Sequence, residues 1–466
     1  MFIKQIQIES LGNSSYLVGD ESAKVCAVID PVRDVDLYLD EAEALGCKIT
    51  HSLETHVHND FVSGSRELAA RVGATVCASG AGGLIFQHRS LREGDVIDVG
   101  EVKLEAMATP GHTPEHVSYL VTDTSRDGGP HALFSGGALL VGGVARSDLL
   151  GKDVAPFLGR HFHQTIRTKL SELSDDVAVY PTHGGGSFCL ATPSGSGATT
   201  TTIGQERGNN AFFQAKTEDE FLELALSDLP PIPAYYSRMA AINTRGPRIL
   251  GALPEVYPLS PNEVWVRIQR DSSAIDLRKP EAFAKGHVPR SYSVPFGDSA
   301  GTWVGWLVEP DKPVIFIADD DPAVRKEMVR QLIRVGYDIF DGYLDGGMDS
   351  WTQTRLPVAS LDAMTAEELY AKLEGSSDIV PLDVRFGYEW RTERIPGAVN
   401  IELGNLTKDH DKLSREASYA AICAAGVRAS TAASILKREG FKDVTLMLGG
   451  TNAWKEAGYP LEHGES

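Results

Sequence analysis

A chain of 466 residues has room for about three domains at roughly 150 residues each. Hydrophobic residues at 42% and charged residues at 23% exclude a mostly disordered chain, and no apolar run reaches the roughly 18 residues of a spanning helix. Against 44 Lys and Arg stand 64 Asp and Glu, a net charge of −20, so the surface repels phosphate backbones and anionic lipids, and neither nucleic acid nor membrane is expected as a partner. Met1-Phe2-Ile3-Lys4-Gln5 shows no basic segment followed by an apolar one, so no signal peptide is expected. The five cysteines, Cys26, Cys47, Cys77, Cys189 and Cys423, form no C-x-x-C pair, which points to reduced thiols and a cytoplasmic protein.

The first block, residues 1–245, opens with strand-like runs at Phe2 to Ile8, Ser15 to Val18 and Val25 to Ile29. A helix-like segment follows from Val35 to Leu45, then β-branched runs separated by Gly- or Asp-rich turns. Ser194-Gly195-Ser196-Gly197 reads as a loop, and Pro230-Pro231-Ile232-Pro233 breaks regular structure, so the block is expected to end in an extended arm through Gly246-Pro247.

The rest is an internal repeat, 258–358 and 361–466. Asp276-Leu277-Arg278 answers Asp383-Val384-Arg385. Gly286-His287-Val288-Pro289 answers Glu393-Arg394-Ile395-Pro396-Gly397, and Gly346-Gly347 with Trp351 answers Gly449-Gly450 with Trp454. Short apolar strands (Val314 to Ile317, Ile379 to Leu382) alternate with helices (Ala323 to Val335, Arg428 to Arg438), which predicts a small parallel sheet with helices on both faces in each copy.

In the first block, Glu54-Thr55-His56-Val57-His58-Asn59-Asp60 follows an apolar run and precedes a helix beginning near Gly64. Two histidines two residues apart on an extended segment point the same way and suit a metal, with Asp60 reaching in from the next turn. Further histidines stand in Gly- and Pro-flanked turns, His112 in Pro110-Gly111-His112-Thr113-Pro114 and His183 in Pro181-Thr182-His183-Gly184. Candidate metal ligands are therefore His56, His58, His112, Asp60 and His183.

With Asp30 in Val28-Ile29-Asp30-Pro31, these pieces make the first 190 residues resemble the metallo-β-lactamase fold, an αββα sandwich. Within that superfamily the branch most resembled is persulfide dioxygenase. The resemblance implies a single Fe(II) held by two His and one Asp, oxidising a small thiol persulfide with O2 to sulfite. The family's metal-bridging Asp falls at Gly137 of Phe134-Ser135-Gly136-Gly137-Ala138-Leu139, and the His that follows Asp60 in two-metal relatives is Phe61. What remains is a set of His56, His58 and His112. Three outcomes stay open: Fe(II) with a substitute ligand such as Asp60, mononuclear zinc, or no metal. Gly137→Asp is expected to restore the missing ligand, against strain if Gly137 sits at φ > 0. Arg146-Ser147-Asp148 resembles a family segment in which Asp148 is a structural partner.

In the third block Cys423 lies between an apolar run and a helix, in Cys423-Ala424-Ala425-Gly426-Val427-Arg428. Loop N–H groups and a helix N-terminus favour an anion there, and Arg428 is expected to add a full positive charge. This cradle is one residue shorter than the C-x5-R loop of phosphotyrosine phosphatases, which suits a sulfane sulfur better than a phosphoryl group. Together with Asp383-Val384-Arg385 and Gly449-Gly450, the block resembles a rhodanese domain. That implies Cys423 as sulfur carrier and Ala424, Ala425, Gly426 and Val427 as the substrate-binding loop. The equivalent loop of the middle block is Ala318-Asp319-Asp320-Asp321, without cysteine and acidic, so that copy is expected to be structural.

The whole resembles bacterial persulfide dioxygenase–sulfurtransferase fusions acting on thiol persulfides, thiosulfate or sulfite in sulfide detoxification, with a homo-oligomer expected. The rivals are a sulfurtransferase with a metal-free N-terminal scaffold and a zinc thioester hydrolase of the glyoxalase II kind.

Overall fold

The computed structural model describes residues 1–126, 129–191, 197–227, 229–375 and 377–464; the loop expected at 194–196 lies outside the described residues. The chain divides into two compact units, Met1–Leu253 with Ile333–Gly336, and Pro254–Leu332 with Tyr337–Ser466. Among the described residues no helix is long and apolar enough to cross a membrane.

The first unit is a sandwich of two six-stranded sheets. One sheet runs in chain order through Phe2–Ile8, Asn13–Asp20, Val25–Ile29, Lys48–Leu53, Thr75–Ser79 and Arg89–Leu91. The other takes Val96–Val99, Val102–Ala108, Val117–Asp123, Ala132–Gly136, Ala178–Pro181 and Thr201–Thr202. Alternation of apolar residues sets the core: Tyr16, Val18, Ala27 and Ile29 of the first sheet meet Leu104, Tyr119, Val121 and Phe134 of the second, all buried. The helix Ala155–Thr168 covers the second sheet through Phe162 and Ile166, which join Leu120 and Leu133 in a second core. The helices Asp36–Ala44 and Ser65–Val72 lie on the first sheet, which completes the αββα layering.

The arm expected after residue 230 is helical over Tyr236–Arg245. The prolines end at 233, before this stretch, and the buried Tyr236, Met239 and Asn243 give it an inward face. Asn243 then satisfies backbone near the histidine cluster. Its Nδ2 donates to the carbonyls of His58 and Phe61, both at 2.8 Å, and its Oδ1 accepts from Ser63 N at 2.9 Å.

In the second unit the two copies share one topology. Each copy has five strands in the same spatial order, Pro258–Leu259, Phe340–Leu344, Val314–Ile317, Ser273–Asp276, Tyr292–Ser293 in one, and Asp362–Met364, Asp443–Met447, Ser418–Ile422, Val380–Asp383, Val399–Asn400 in the other. All pairings are parallel. The buried Asp276 is gripped by Arg278, which also donates to Gly286 O at 2.9 Å; Asp383, Arg385 and Glu393 O repeat this, the last bond at 2.7 Å. Trp351 Nε1 donates to Pro357 O at 3.0 Å and Trp454 Nε1 to Pro460 O at 2.8 Å. These shared residues are the common scaffold of the two copies. The copies also bond to each other: Ser293 N donates to Ser434 Oγ at 3.1 Å, and the hydroxyls of Ser293 and Ser430 lie 2.5 Å apart.

Because Trp351 is fully buried with its N–H satisfied, Trp351→Ala should destabilise the second unit by about 3–5 kcal/mol in chemical denaturation. A loss under about 1 kcal/mol would show that the tryptophan fills no essential core volume.

Candidate functional site

Segments leaving four strand ends converge in the first unit: Glu54 to Asp60 after Lys48–Leu53, Thr109 to Thr113 after Val102–Ala108, Gly136-Gly137 at the end of Ala132–Gly136, and Thr182-His183 after Ala178–Pro181. The buried Asp30, held at φ 49°, gathers them. Its carboxylate accepts from Thr55 N and Thr55 Oγ1, both at 2.7 Å, and from Thr182 Oγ1 at 2.5 Å. Burial opposes its charge, but His58 and these donors hold the carboxyl below the usual carboxylate range. Because Asp30 captures both donors of Thr55, the chain bends there, and His56 and His58 stand in an irregular loop rather than on the extended segment expected.

The hydrogen bonds fix which nitrogen each ring exposes. The one hydroxyl hydrogen of Thr55 goes to Asp30, so toward His56 Nδ1, at 2.8 Å, Thr55 Oγ1 acts as acceptor. His112 Nδ1 donates to Arg146 O at 2.6 Å. His183 Nδ1 lies 3.2 Å from Asn13 Oδ1 and 3.4 Å from Asp60 Oδ2. Nε2 is therefore the nitrogen that His56, His112 and His183 each leave free, and all three atoms are buried without a hydrogen-bond partner, as is Asp60 Oδ1. The ring centroids lie 4.8, 5.4 and 5.3 Å apart pairwise. Burial first, then neighbouring imidazoles, hold His56 well below its ordinary value and bring His112 to about 3, so both rings are neutral. Asp60 stays ionised: burial opposes the charge, and His183 outweighs it. Buried polar atoms are almost always paired. Orphaned imidazole nitrogens and a carboxylate oxygen, with each ring's other nitrogen anchored, are donors that a metal ion would satisfy, though these four are not among the sets whose donor atoms all lie within 4.8 Å of one another.

Of the five expected ligands, His56, His112, His183 and Asp60 thus present free donor atoms. His58 stands differently. Its Nε2 faces Asp30 Oδ1 at 3.1 Å and Glu54 Oε2 at 3.2 Å, and its ring stacks on Phe61 at 4.2 Å. Burial alone would push His58 down, but the two carboxylates raise it to about 10. It offers only Nδ1. The donor atoms of His56, His58 and His183 lie within 4.8 Å of one another, and so do those of His112, His183 and Cys189. The sequence reading left Cys189 out, because it sits in no recognisable spacing with the histidines. Asp148 is a structural partner, holding Arg146 through bonds of 2.6 and 2.8 Å.

His116 was missed as well, although it follows His112 by four residues in the same turn. Gly137 N donates to its Nε2 at 2.9 Å, which places the ring proton on Nδ1, facing Thr109 Oγ1 at 2.8 Å. The ring also stacks on His56, 5.1 Å between centroids. The left-handed residue in this turn is Gly136, at φ 56°, and not Gly137. What opposes a side chain at 137 is crowding rather than backbone strain: a Cβ there would lie 2.7 Å from His112 Cδ2 and 3.0 Å from Ala145 Cβ.

In the second unit, Cys423 directly follows the strand Ser418–Ile422 and the helix Val427–Arg438 begins four residues later. Gly426 N donates to Cys423 Sγ at 3.1 Å. Thr451 N donates to Cys423 O at 2.8 Å and Asn452 N to Ala424 O at 3.0 Å, so the Gly449-Gly450 turn clamps the loop. Gly450 is required: at φ 58°, a Cβ would collide with Cys423 O. In the middle copy Ala318 holds the place of Cys423, since its carbonyl is the group nearest Gly347. Asp321 there caps the following helix through Ala323 N at 2.8 Å, and Asp320 faces Arg325 at 3.3 Å. Arg428 departs from expectation. It does not give the loop a free charge, because Glu389 binds it at 2.6 and 2.8 Å. Burial would raise Glu389, but Arg428 keeps it below its ordinary value.

Residues 9–184 match the family model of the metallo-beta-lactamase superfamily, and residues 260–354 and 365–457 each match that of the rhodanese-like domain. The chain is 29% identical over 185 residues to the mitochondrial persulfide dioxygenase ETHE1 of Homo sapiens, covering 38% of this chain and 66% of that one. It is 37% identical over 146 residues to a hydroxyacylglutathione hydrolase of Rhodospirillum rubrum, covering 31% and 54%. Against these two relatives it spans between about half and two thirds of their length. A crystal structure of a metallo-beta-lactamase from Staphylococcus aureus superimposes with a TM-score of 0.66 at 30% identity, covering 74% of this chain and 98% of that one.

Gly137→Asp should lose bound metal relative to the unmodified protein, because the new Cβ displaces His112; elemental analysis of protein purified without chelators reads this, and a gain of iron would overturn it. Glu389→Gln should raise kcat/KM for thiosulfate roughly threefold to tenfold by releasing the Arg428 charge toward an anionic donor, and a fall would show that the pair serves to position Arg428.

Proposed function

This chain belongs to the metallo-β-lactamase superfamily through its first unit and carries two rhodanese-like domains, and we propose on that footing that it is a sulfane-sulfur transferase working through Cys423, joined to a metal-dependent domain acting on small thiol persulfides. The observation that carries the reading is the contrast between two copies of one scaffold: Cys423 under the Gly426 N–H in one, Ala318 in the other.

The Cys423 thiolate attacks the outer sulfur of a persulfide or thiosulfate. The donor S–S bond breaks, and a thiol or sulfite leaves with the electron pair. Gly426 N–H, already aimed at Sγ, stabilises the charge on the sulfur, and the loop is held still by Thr451 and Asn452. An acceptor thiolate then takes the terminal sulfur and returns Cys423. The middle copy, lacking a nucleophile, braces the catalytic helix through Ser293.

In the first unit, His56, His112 and His183 through Nε2, with Asp60 Oδ1, would hold a first-row transition ion, a set that suits Fe(II) or zinc. When bound, such an ion supplies activation of a sulfur substrate, redox or Lewis-acid according to its identity. The protein's part is to fix the ring orientations through Thr55, Arg146 O and Asn13. His56 and His58 also border a small cavity of about 20 Å³, room for about one water, lined by Val57, Leu84 and Phe86 together with Glu54, Arg66 and Glu115.

Incubation with thiosulfate should add about 32 Da to Cys423, read by peptide mass mapping, and Cys423→Ser should abolish transfer to cyanide. Added sulfur found mainly on Cys77 or Cys189 would reject the assignment.

A further inference from the structure

Two cysteines outside both sites lie against each other. Cys26 is buried within the strand Val25–Ile29, and Cys47, just before the strand Lys48–Leu53, is only partly covered. Their sulfurs are 3.1 Å apart. A disulfide requires about 2.05 Å, so closure by about 1 Å would join them. The pair is asymmetric: a reagent from solvent reaches Cys47, and Cys26 stands behind it. Burial, with Cys47 adding to it, pushes the Cys26 thiol up, so Cys26 stays protonated while Cys47 meets the reagent. Fully packed core cysteines are usually inert. Here the half-open position of one partner and the sulfur contact of the other supply the attacking and resolving roles of a dithiol.

We propose that Cys47 and Cys26 form a second sulfur-accepting site, which reduces a small persulfide and closes into a Cys26–Cys47 disulfide. The Cys47 thiolate attacks the outer sulfur of RSSH, the persulfide S–S bond breaks, and RS⁻ leaves and is protonated to RSH. Cys47 then carries –S–SH. Cys26 sulfur attacks Cys47 Sγ, the new S–S bond breaks, and HS⁻ leaves with the Cys26 proton as hydrogen sulfide. The two thiols lose two electrons, the sulfane sulfur gains them, and the sum is RSSH plus dithiol giving RSH, hydrogen sulfide and disulfide. The second step is intramolecular between sulfurs already in contact, which favours it over release of the intermediate. The disulfide would staple the two strands that lead to Asp30 and to Glu54-Thr55-His56. This site is independent of Cys423 and of the metal ligands.

The test treats reduced, desalted full-length protein with glutathione persulfide, in the unmodified chain and in Cys423→Ser. Both should yield a crosslinked peptide pair containing Cys26 and Cys47, about 2 Da lighter than the two thiols, with about one hydrogen sulfide released per chain. Cys26→Ser should instead keep about 32 Da of added sulfur on Cys47 and release no hydrogen sulfide by this route. Cys47→Ser, altered on the accessible side, should leave Cys26 unmodified, which keeps the test open if Cys26→Ser fails to fold. Cyanide transfer through Cys423 should be unchanged in both variants. Cys26 and Cys47 remaining fully alkylatable after the treatment would overturn the proposal, and so would a crosslink that disappears in Cys423→Ser.

Discussion

The first unit depends on one buried carboxylate. Asp30 sits at the end of a first-sheet strand and bonds Thr55 from the neighbouring strand's exit and Thr182 from the second sheet. Without those three donors an ionised carboxylate at full burial would be untenable. With them it joins the two sheets at the point where the histidines emerge. The consequence passes one residue further. Because Thr55 has spent its hydrogen on Asp30, His56 must carry its proton on Nδ1 and present Nε2 inward. The protonation state of a metal-ligand candidate is thus set by a residue 26 positions earlier in the chain.

The second unit shows the reverse relation, a shared frame around divergent sites. Asp276–Arg278 and Asp383–Arg385, Trp351 and Trp454, and the paired glycines recur because they hold strand ends and loop carbonyls in any copy of this fold. The loop between strand and helix contributes nothing to that frame beyond its backbone. It was free to become Cys423 under an N–H donor in one copy and an acidic helix cap in the other.

Layer order, the repeat and its strands were legible because they rest on periodicity and on residues with single structural meanings: Val314 to Ile317 is a strand as read, and Asp321 falls at the helix start. The helix at 236–245 was not, because the prolines before it carry a strong breaking signal and its packing partner, the loop around His58, lies 185 residues from Asn243. Site membership was legible as residue type but not as orientation. His58 and His112 look alike in sequence. Only the fold shows one turned to Asp30 and Glu54 and the other presenting a free nitrogen. Arg428 looked free because Glu389, its partner, lies 39 positions away with no local signature.

Gly137 is better understood with His116 than alone. A carboxylate at 137 would need space that His112 occupies, while the residue 137 amide is taken by His116 Nε2. The same His116 ring stacks on His56. The turn has therefore not simply lost a ligand. An imidazole has closed over the position, tying the backbone of the former ligand turn to the flank of a remaining histidine. The free donor atoms that result, three Nε2 and Asp60 Oδ1, come from three of the four convergent segments, and the fourth contributes only its backbone. Residue 137 adds no side-chain donor to this set, and a carboxylate placed there works against the packing of His112 and Ala145.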